Sequence, residues 1–240
     1  ELGIGELQAT EDLDAARDDQ ARAALQALHQ IGLIEPDALD AAGIEVILDV
    51  VYNHTNSAGQ NERSVLDKIV PGYYHRRDRA SGSVLSDSCC PDTTAEFAMM
   101  EKLMSDTLAT WVSEYKVDGF RFDLMGFHPK AVMERVRDRL TALDPAIYLY
   151  GEGWNFGAIA NDRRFVQATQ ANLAGTGIGT FSDRLRDGAR GGGPFDGGVV
   201  HVRNQGFISG AGYQPNAEND GSDQSFIDNA LDDADIIRLG

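Results

Sequence analysis

Val117-Asp118-Gly119-Phe120-Arg121-Phe122-Asp123-Leu124-Met125-Gly126 reads as a strand that carries an arginine and an aspartate two residues apart just before it ends. Side chains alternate along a strand, so Gly119, Arg121 and Asp123 share one face and Phe120, Phe122 and Leu124 the other. One face is apolar, and the other runs small, cationic, anionic. Taken alone, this pattern suits a buried ion pair closing a strand end as well as a working face. The surrounding sequence decides between them.

Upstream, residues 44–51 (IEVILDVV) are nearly all apolar, as expected of a parallel strand covered on both sides. Between the two strands, residues 55–95 are rich in Ser, Gly, Asn and Pro and read as loop. A helix is predicted over 94–115, with Phe97, Met100, Leu103, Met104, Leu108 and Trp111 on its apolar stripe. Downstream come a helix over 129–143 opened by a proline, a strand over 147–151 and a short strand over 178–181. An amphipathic helix over 12–33 precedes them all. Strands alternating with helices define a parallel α/β architecture.

In such folds chemistry gathers at the C-terminal ends of strands. Polar groups collect there three times: Asp49-Val50-Val51-Tyr52-Asn53-His54, then Arg121-Phe122-Asp123, then Gly151-Glu152-Gly153-Trp154. Accident would have to repeat itself at the same end of three successive strands. An aspartate and a glutamate on neighbouring strand ends suit glycoside hydrolysis, in which one carboxylate attacks the anomeric carbon and the other protonates the leaving oxygen. Arg121 shares a face with Asp123 and would keep it ionised. Glu152 has no cation near it in sequence and stands beside Trp154, an apolar neighbour that would suit it to the acid role. Trp154 offers a flat surface to a sugar ring, and serves equally as a core residue.

Composition narrows the classes. The chain has 240 residues, 42% of them hydrophobic, enough for one sizeable core. No run of about 18 apolar residues is present to span a membrane. Acidic residues number 38 against 21 basic, a net charge of −17 that repels phosphate backbones and argues against a nucleic-acid partner. The burst His75-Arg76-Arg77-Asp78-Arg79 reads as solvated surface. Cys89 and Cys90 are adjacent, so they form either a strained eight-membered disulfide ring or two ordinary thiols. No cysteine and histidine spacing marks a zinc site. The chain does not open with methionine and shows no signal peptide, and reads as a piece of something longer.

DVVYNHT (49–55), GFRFD (119–123) and GEGW (151–154) resemble three sequence regions of the α-amylase superfamily of retaining glycoside hydrolases. SVLDKIVPGYYHRR (64–77), VDGFRFDLMGFHPK (117–130), IYLYGEGWNFG (147–157) and GTGIGTFSDRLRDGARGGGPF (175–195) are similar to pullulanases and limit dextrinases, its α-1,6 debranching members. The resemblance covers roughly residues 44–215. It implies a partial (β/α)8 barrel, strands three to six, with the whole of 1–240 belonging to one partial catalytic domain. It implies Asp123 as nucleophile, Glu152 as acid/base and Arg121 as the arginine beside the nucleophile. It implies His54, Asn53 and Asp49 around the cleaved sugar and Trp154 on the acceptor side. It also favours the disulfide between Cys89 and Cys90, since some bacterial members carry paired cysteines there.

The implied partner is a branched α-glucan, and the chemistry needs no organic cofactor. Structural calcium is known in relatives, and Asn219-Asp220-Gly221-Ser222-Asp223 offers oxygen ligands, although it reads first as a solvated turn. A polysaccharide substrate and paired cysteines favour an extracellular or periplasmic home, with plastid or cytoplasm left open. Two features depart from the family. The third carboxylate of its sites, the aspartate of a His-Asp pair, is missing, since His201 is followed by Val202. Residues 28–49 also hold extra sequence. The isolated 240 residues are therefore expected to be inactive. The alternatives are an α-1,4-acting hydrolase or transglycosylase and a non-catalytic carbohydrate-binding homologue.

Overall fold

The computed structural model describes residues 43–219 and Asp232. The helix predicted over 12–33, the extra sequence before Gly43 and the acidic loop beyond Asn219 lie outside the described residues. Two compact units divide the chain between Phe181 and Ser182.

The first unit is built on a four-stranded parallel sheet in sequential order: β1 (Ile47–Val50), β2 (Gly119–Phe122), β3 (Tyr148–Gly151) and β4 (Gly179–Thr180). A short helix, α1 (Leu66–Ile69), interrupts the stretch expected as loop. The crossovers from β1 to β2 and from β2 to β3 carry α2 (Ala98–Tyr115) and α3 (Lys130–Leu143). Strand–helix–strand units in parallel register are the repeat from which a (β/α)8 barrel is made.

The apolar face of β2 is where the core forms. Phe120 and Phe122 are fully buried. They belong to one cluster with Met100, Met104, Leu108 and Val112 of α2 and Val132, Met133, Val136 and Leu140 of α3. Of the stripe read for α2, Met100, Met104 and Leu108 are in this cluster and Leu103 and Trp111 pack against it, whereas Phe97 precedes the helix and is exposed. Each helix ends for a local reason. Lys116 takes a left-handed φ of 56° and turns the chain from α2 toward β2. Asp144 is extended because it precedes Pro145, which disfavours helical backbone in the residue before it.

The elements are shorter than the periodicity predicts. Strand β1 starts at Ile47 rather than residue 44, since the amide of Val46 donates to the Asp118 side chain at 2.6 Å instead of to a neighbouring strand. Strand β2 stops at Phe122 rather than 124, because Leu124 turns left-handed with a φ of 39°. Helix α2 starts at Ala98 rather than 94, because the backbone amide and hydroxyl of Thr94 donate to the carbonyls of Tyr74 and Tyr73 at 2.9 and 2.8 Å. Pro129 caps α3 rather than opening its first turn.

The second unit holds α4 (Asp183–Arg190) and α5 (Gly198–Arg203). The Ser182 hydroxyl accepts from the Leu185 amide at 3.2 Å, a standard N-cap. No helix among the described residues is long and apolar enough to cross a membrane.

Candidate active site

Parallel register places Asp49, Arg121, Tyr150 and Gly179 side by side on four strands. The ladder continues one residue past the strands: the amides of Asp123, Glu152 and Phe181 donate to the carbonyls of Val50, Phe122 and Gly151 at 3.0, 3.0 and 3.1 Å. Asp123, Glu152 and Phe181 therefore lie two residues beyond Arg121, Tyr150 and Gly179 and on the same face. Gly179 carries no side chain because a Cβ there would come within 2.6 Å of the Tyr148 hydroxyl.

Arg121 is the hub of this face. Its Nη1 donates to Asp49 at 2.9 Å and to Asp123 at 3.2 Å, and its Nη2 donates to Glu152 at 2.7 Å. Phe181 places its ring 5.7 Å from the same guanidinium. Burial opposes the charge on Arg121, but the bond to Asp49 and the charges of Glu152 and Asp49 outweigh it and hold the group further into its cationic range. One planar fork reaching three carboxylates is a task for arginine and not for lysine.

This geometry corrects the reading of Glu152 as a carboxylate without a cation. Arg121 is closer to Glu152 than to Asp123. The second oxygen, Oε2, accepts from the Leu124 amide at 3.0 Å. Two donors therefore surround Glu152, and an apolar setting supplied by Trp154 does not describe it. The sequence hides this because Glu152 stands 31 residues from Arg121 and meets it only through the register of β2 and β3.

The left-handed turn at Leu124 does two things. It aims an amide at Glu152, and it drops the chain into a 3-10 turn, Met125–Phe127, against the loop that follows β3. There the Gly126 amide donates to the Glu152 carbonyl at 2.9 Å, and Gln167 donates to the Gly126 carbonyl at 2.9 Å. A Cβ on Gly126 would collide with the backbone carbonyl of Trp154. Trp154 itself is half-buried.

After β1, Asn53 is buried and His54 half-buried. Asn53 Nδ2 and His54 Nδ1 are 2.7 Å apart. Burial lowers the His54 pKa, against the upward pull of the Asp123 charge, so the ring is neutral near neutral pH. Cys89 and Cys90 have their sulfurs within bonding distance of each other, and Cys89 Sγ lies 3.8 Å from His54 Nε2.

The basic burst is only in part the solvated surface that its local charge suggests: Arg79 is exposed and Arg77 and Asp78 half-buried. His75 and Arg76 are fully buried. Arg76 forks onto Glu96 at 2.9 and 3.3 Å, and Arg77 meets the buried Asp67 at 3.1 Å. Buried cations require such partners, and these come from α1 and from residue 96, outside any local window. Two further groups went unread in the sequence. Asp92 is fully buried, and burial together with the nearby Asp87 charge raises its pKa to about 6. His128 is fully buried, and burial and Arg76 push its pKa down to about 3.

A parallel α/β sheet with three carboxylates gathered on one arginine at the C-terminal ends of its strands defines a segment of a (β/α)8-barrel protein of the kind whose sites are built on that rim. No family model matches the chain. Curated proteins do. The chain is 51% identical over 97% of its length to a pullulanase of Klebsiella aerogenes, and 48% identical over 78% to the chloroplastic pullulanase 1 of Arabidopsis thaliana. A maltotriose complex of PulA from Klebsiella pneumoniae superposes with a TM-score of 0.77 at 54% identity, over 84% of this chain and 21% of that one. The chain belongs to the pullulanase group, and spans 20% of the length of each of these two curated relatives.

Proposed function

We propose that a protein carrying this chain hydrolyses α-1,6-glucosidic branch links in pullulan, limit dextrin, amylopectin or glycogen, by double displacement with retention. The observation that carries the reading is the Arg121 fork joining Asp49, Asp123 and Glu152 at the strand ends. Asp123 attacks the anomeric carbon and forms the glycosyl–enzyme bond, while Glu152 gives its proton to the departing oxygen. Water then enters, Glu152 takes its proton, and the Asp123 ester is cleaved. Asp49, Asn53 and His54 hold the sugar at the cleaved bond, and Trp154 lines the acceptor side. His54 is neutral, so it donates and accepts without adding a charge beside Asp123. No cofactor enters these steps.

The 1–240 segment is the part of the catalytic barrel that holds nucleophile and acid/base, and the remaining transition-state carboxylate comes from elsewhere in a protein of pullulanase length. Steady-state hydrolysis of pullulan by such a protein tests the assignment. Glu152→Gln lowers kcat by about 10²–10⁴-fold, and Asp123→Asn lowers it at least as far with the fold intact. The isolated 240 residues release no product. Either variant retaining wild-type kcat overturns the assignment, and so does turnover by the isolated segment.

A further inference from the structure

We propose that Cys89, Cys90 and His54, once the cysteine pair is reduced, form a three-ligand site for a thiophilic d10 cation such as zinc or cadmium. Occupation of that site takes His54 away from the substrate. The donor atoms of the three residues lie within 4.8 Å of one another, with Cys89 Sγ at 3.8 Å from His54 Nε2. A tetrahedral zinc ion holds thiolates at about 2.3 Å and imidazole at about 2.0–2.1 Å, so its ligands stand about 3.3–3.8 Å apart. Cys89 is exposed and Cys90 half-buried, so ions and reductants reach the pair.

A second observation points the same way. Asn53 is buried with its Oδ1 unpartnered, although its amide sits 2.7 Å from His54 Nδ1. With that amide turned over, Oδ1 accepts a hydrogen bond from Nδ1–H, and the Nε2 lone pair faces the sulfurs. A ring N–H that donates to a carboxylate, carbonyl or water oxygen, while the other ring nitrogen binds metal, is the usual outer support of a histidine ligand. Two thiolates and one imidazole leave a fourth position for water, and that donor set suits zinc-like ions over calcium or magnesium.

The chemistry balances. A small dithiol attacks the Cys89–Cys90 bond, two electrons and two protons pass to the pair, and the reductant leaves as its cyclic disulfide. Metal capture then releases the two thiol protons. Adjacent cysteines close an eight-membered ring, a geometry more open to reduction than a disulfide across a long loop.

The metal site itself stands on the geometry, whereas its effect on catalysis rests on the role proposed above for His54. The test uses a protein of pullulanase length, reduced with dithiothreitol, freed of it without air, and titrated with cadmium alone. Wild type binds one cadmium more than the Cys89→Ser/Cys90→Ser variant, with thiolate-to-metal absorption in the ultraviolet, and the oxidised protein lacks this extra ion. His54→Ala weakens the extra ion at least ~10-fold, the lower bound for losing even an outer support. Cadmium then suppresses pullulan hydrolysis by reduced wild type and spares the double serine variant. Equal cadmium counts in reduced wild type and the serine variant overturn the site. Undiminished affinity in His54→Ala overturns its third ligand, and full activity in the loaded enzyme overturns the inhibition. A protein with no pullulan hydrolysis in any state contradicts the function proposed above while the cadmium counts still decide the site.

Discussion

Arg121 decides more than any other residue. Its fork ties Asp49, Asp123 and Glu152 together, and a lysine at this place keeps the charge while losing the geometry. Arg121→Lys is expected to lower kcat on pullulan by about 100-fold, the scale of losing one preorganised electrostatic contact. Circular dichroism would stay unchanged, and a kcat within threefold of wild type would show that the fork is dispensable. Asp92 gives a prediction of the opposite kind. Its folded pKa of about 6 lies above the unfolded value of 3.8, so the folded state binds the extra proton between those limits. That contribution is fully present below pH 3.8, fades through the folded pKa and is gone above it. His128, buried and neutral, acts oppositely, since the unfolded chain takes up its proton below pH 6.5. Wild type should therefore gain about 1.4 kcal/mol relative to Asp92→Asn between pH 7 and pH 5. Denaturant unfolding of both at the two pH values measures this. A difference that does not move with pH would remove Asp92 from the balance.

At the scale of elements, the loops after β2 and β3 work as one piece. Leu124 turns left-handed and presents its amide to Glu152, and Gly126 seats the next turn on the backbone of residues 152–154. Gly126→Ala drives a methyl group into the Trp154 carbonyl. It should cost about 1–3 kcal/mol of stability, as overpacking generally does. Activity should fall with it, because the displaced backbone carries Glu152. Thermal unfolding and kcat measured on the same preparation check this, and a variant as stable and active as wild type would show that the loops move independently. The sequence disclosed these elements but not their joinery. Alternation along residues 117–124 correctly sorted Phe120 and Phe122 to the core and Arg121 and Asp123 to the other face. The strand ends were overrun because apolar periodicity carries no sign of a left-handed Leu124 or of an amide captured by Asp118. Arg76 was misplaced for the same reason, since its partner Glu96 lies 20 residues away.

For the whole molecule, the strands and both helical crossovers were legible in their apolar patterns, while the order of strands in the sheet was implied only by the resemblance to a barrel family. The site was legible as an inventory of residues at three strand ends. Its wiring was not, because the contacts from Asp49 to Arg121 and from Arg121 to Glu152 span 72 and 31 residues and exist only in parallel register. The chain accounts for a fifth of the length of its pullulanase relatives, and the function proposed above assigns Asp123 and Glu152 as the carboxylate pair of a retaining mechanism. The central claim is that these serve α-1,6 cleavage, and the linkage broken in pullulan tests it most directly. A protein of pullulanase length carrying this chain, incubated with pullulan, is predicted to release maltotriose with its new reducing end first in the α configuration. Panose or isopanose would mean α-1,4 cleavage and contradict the account.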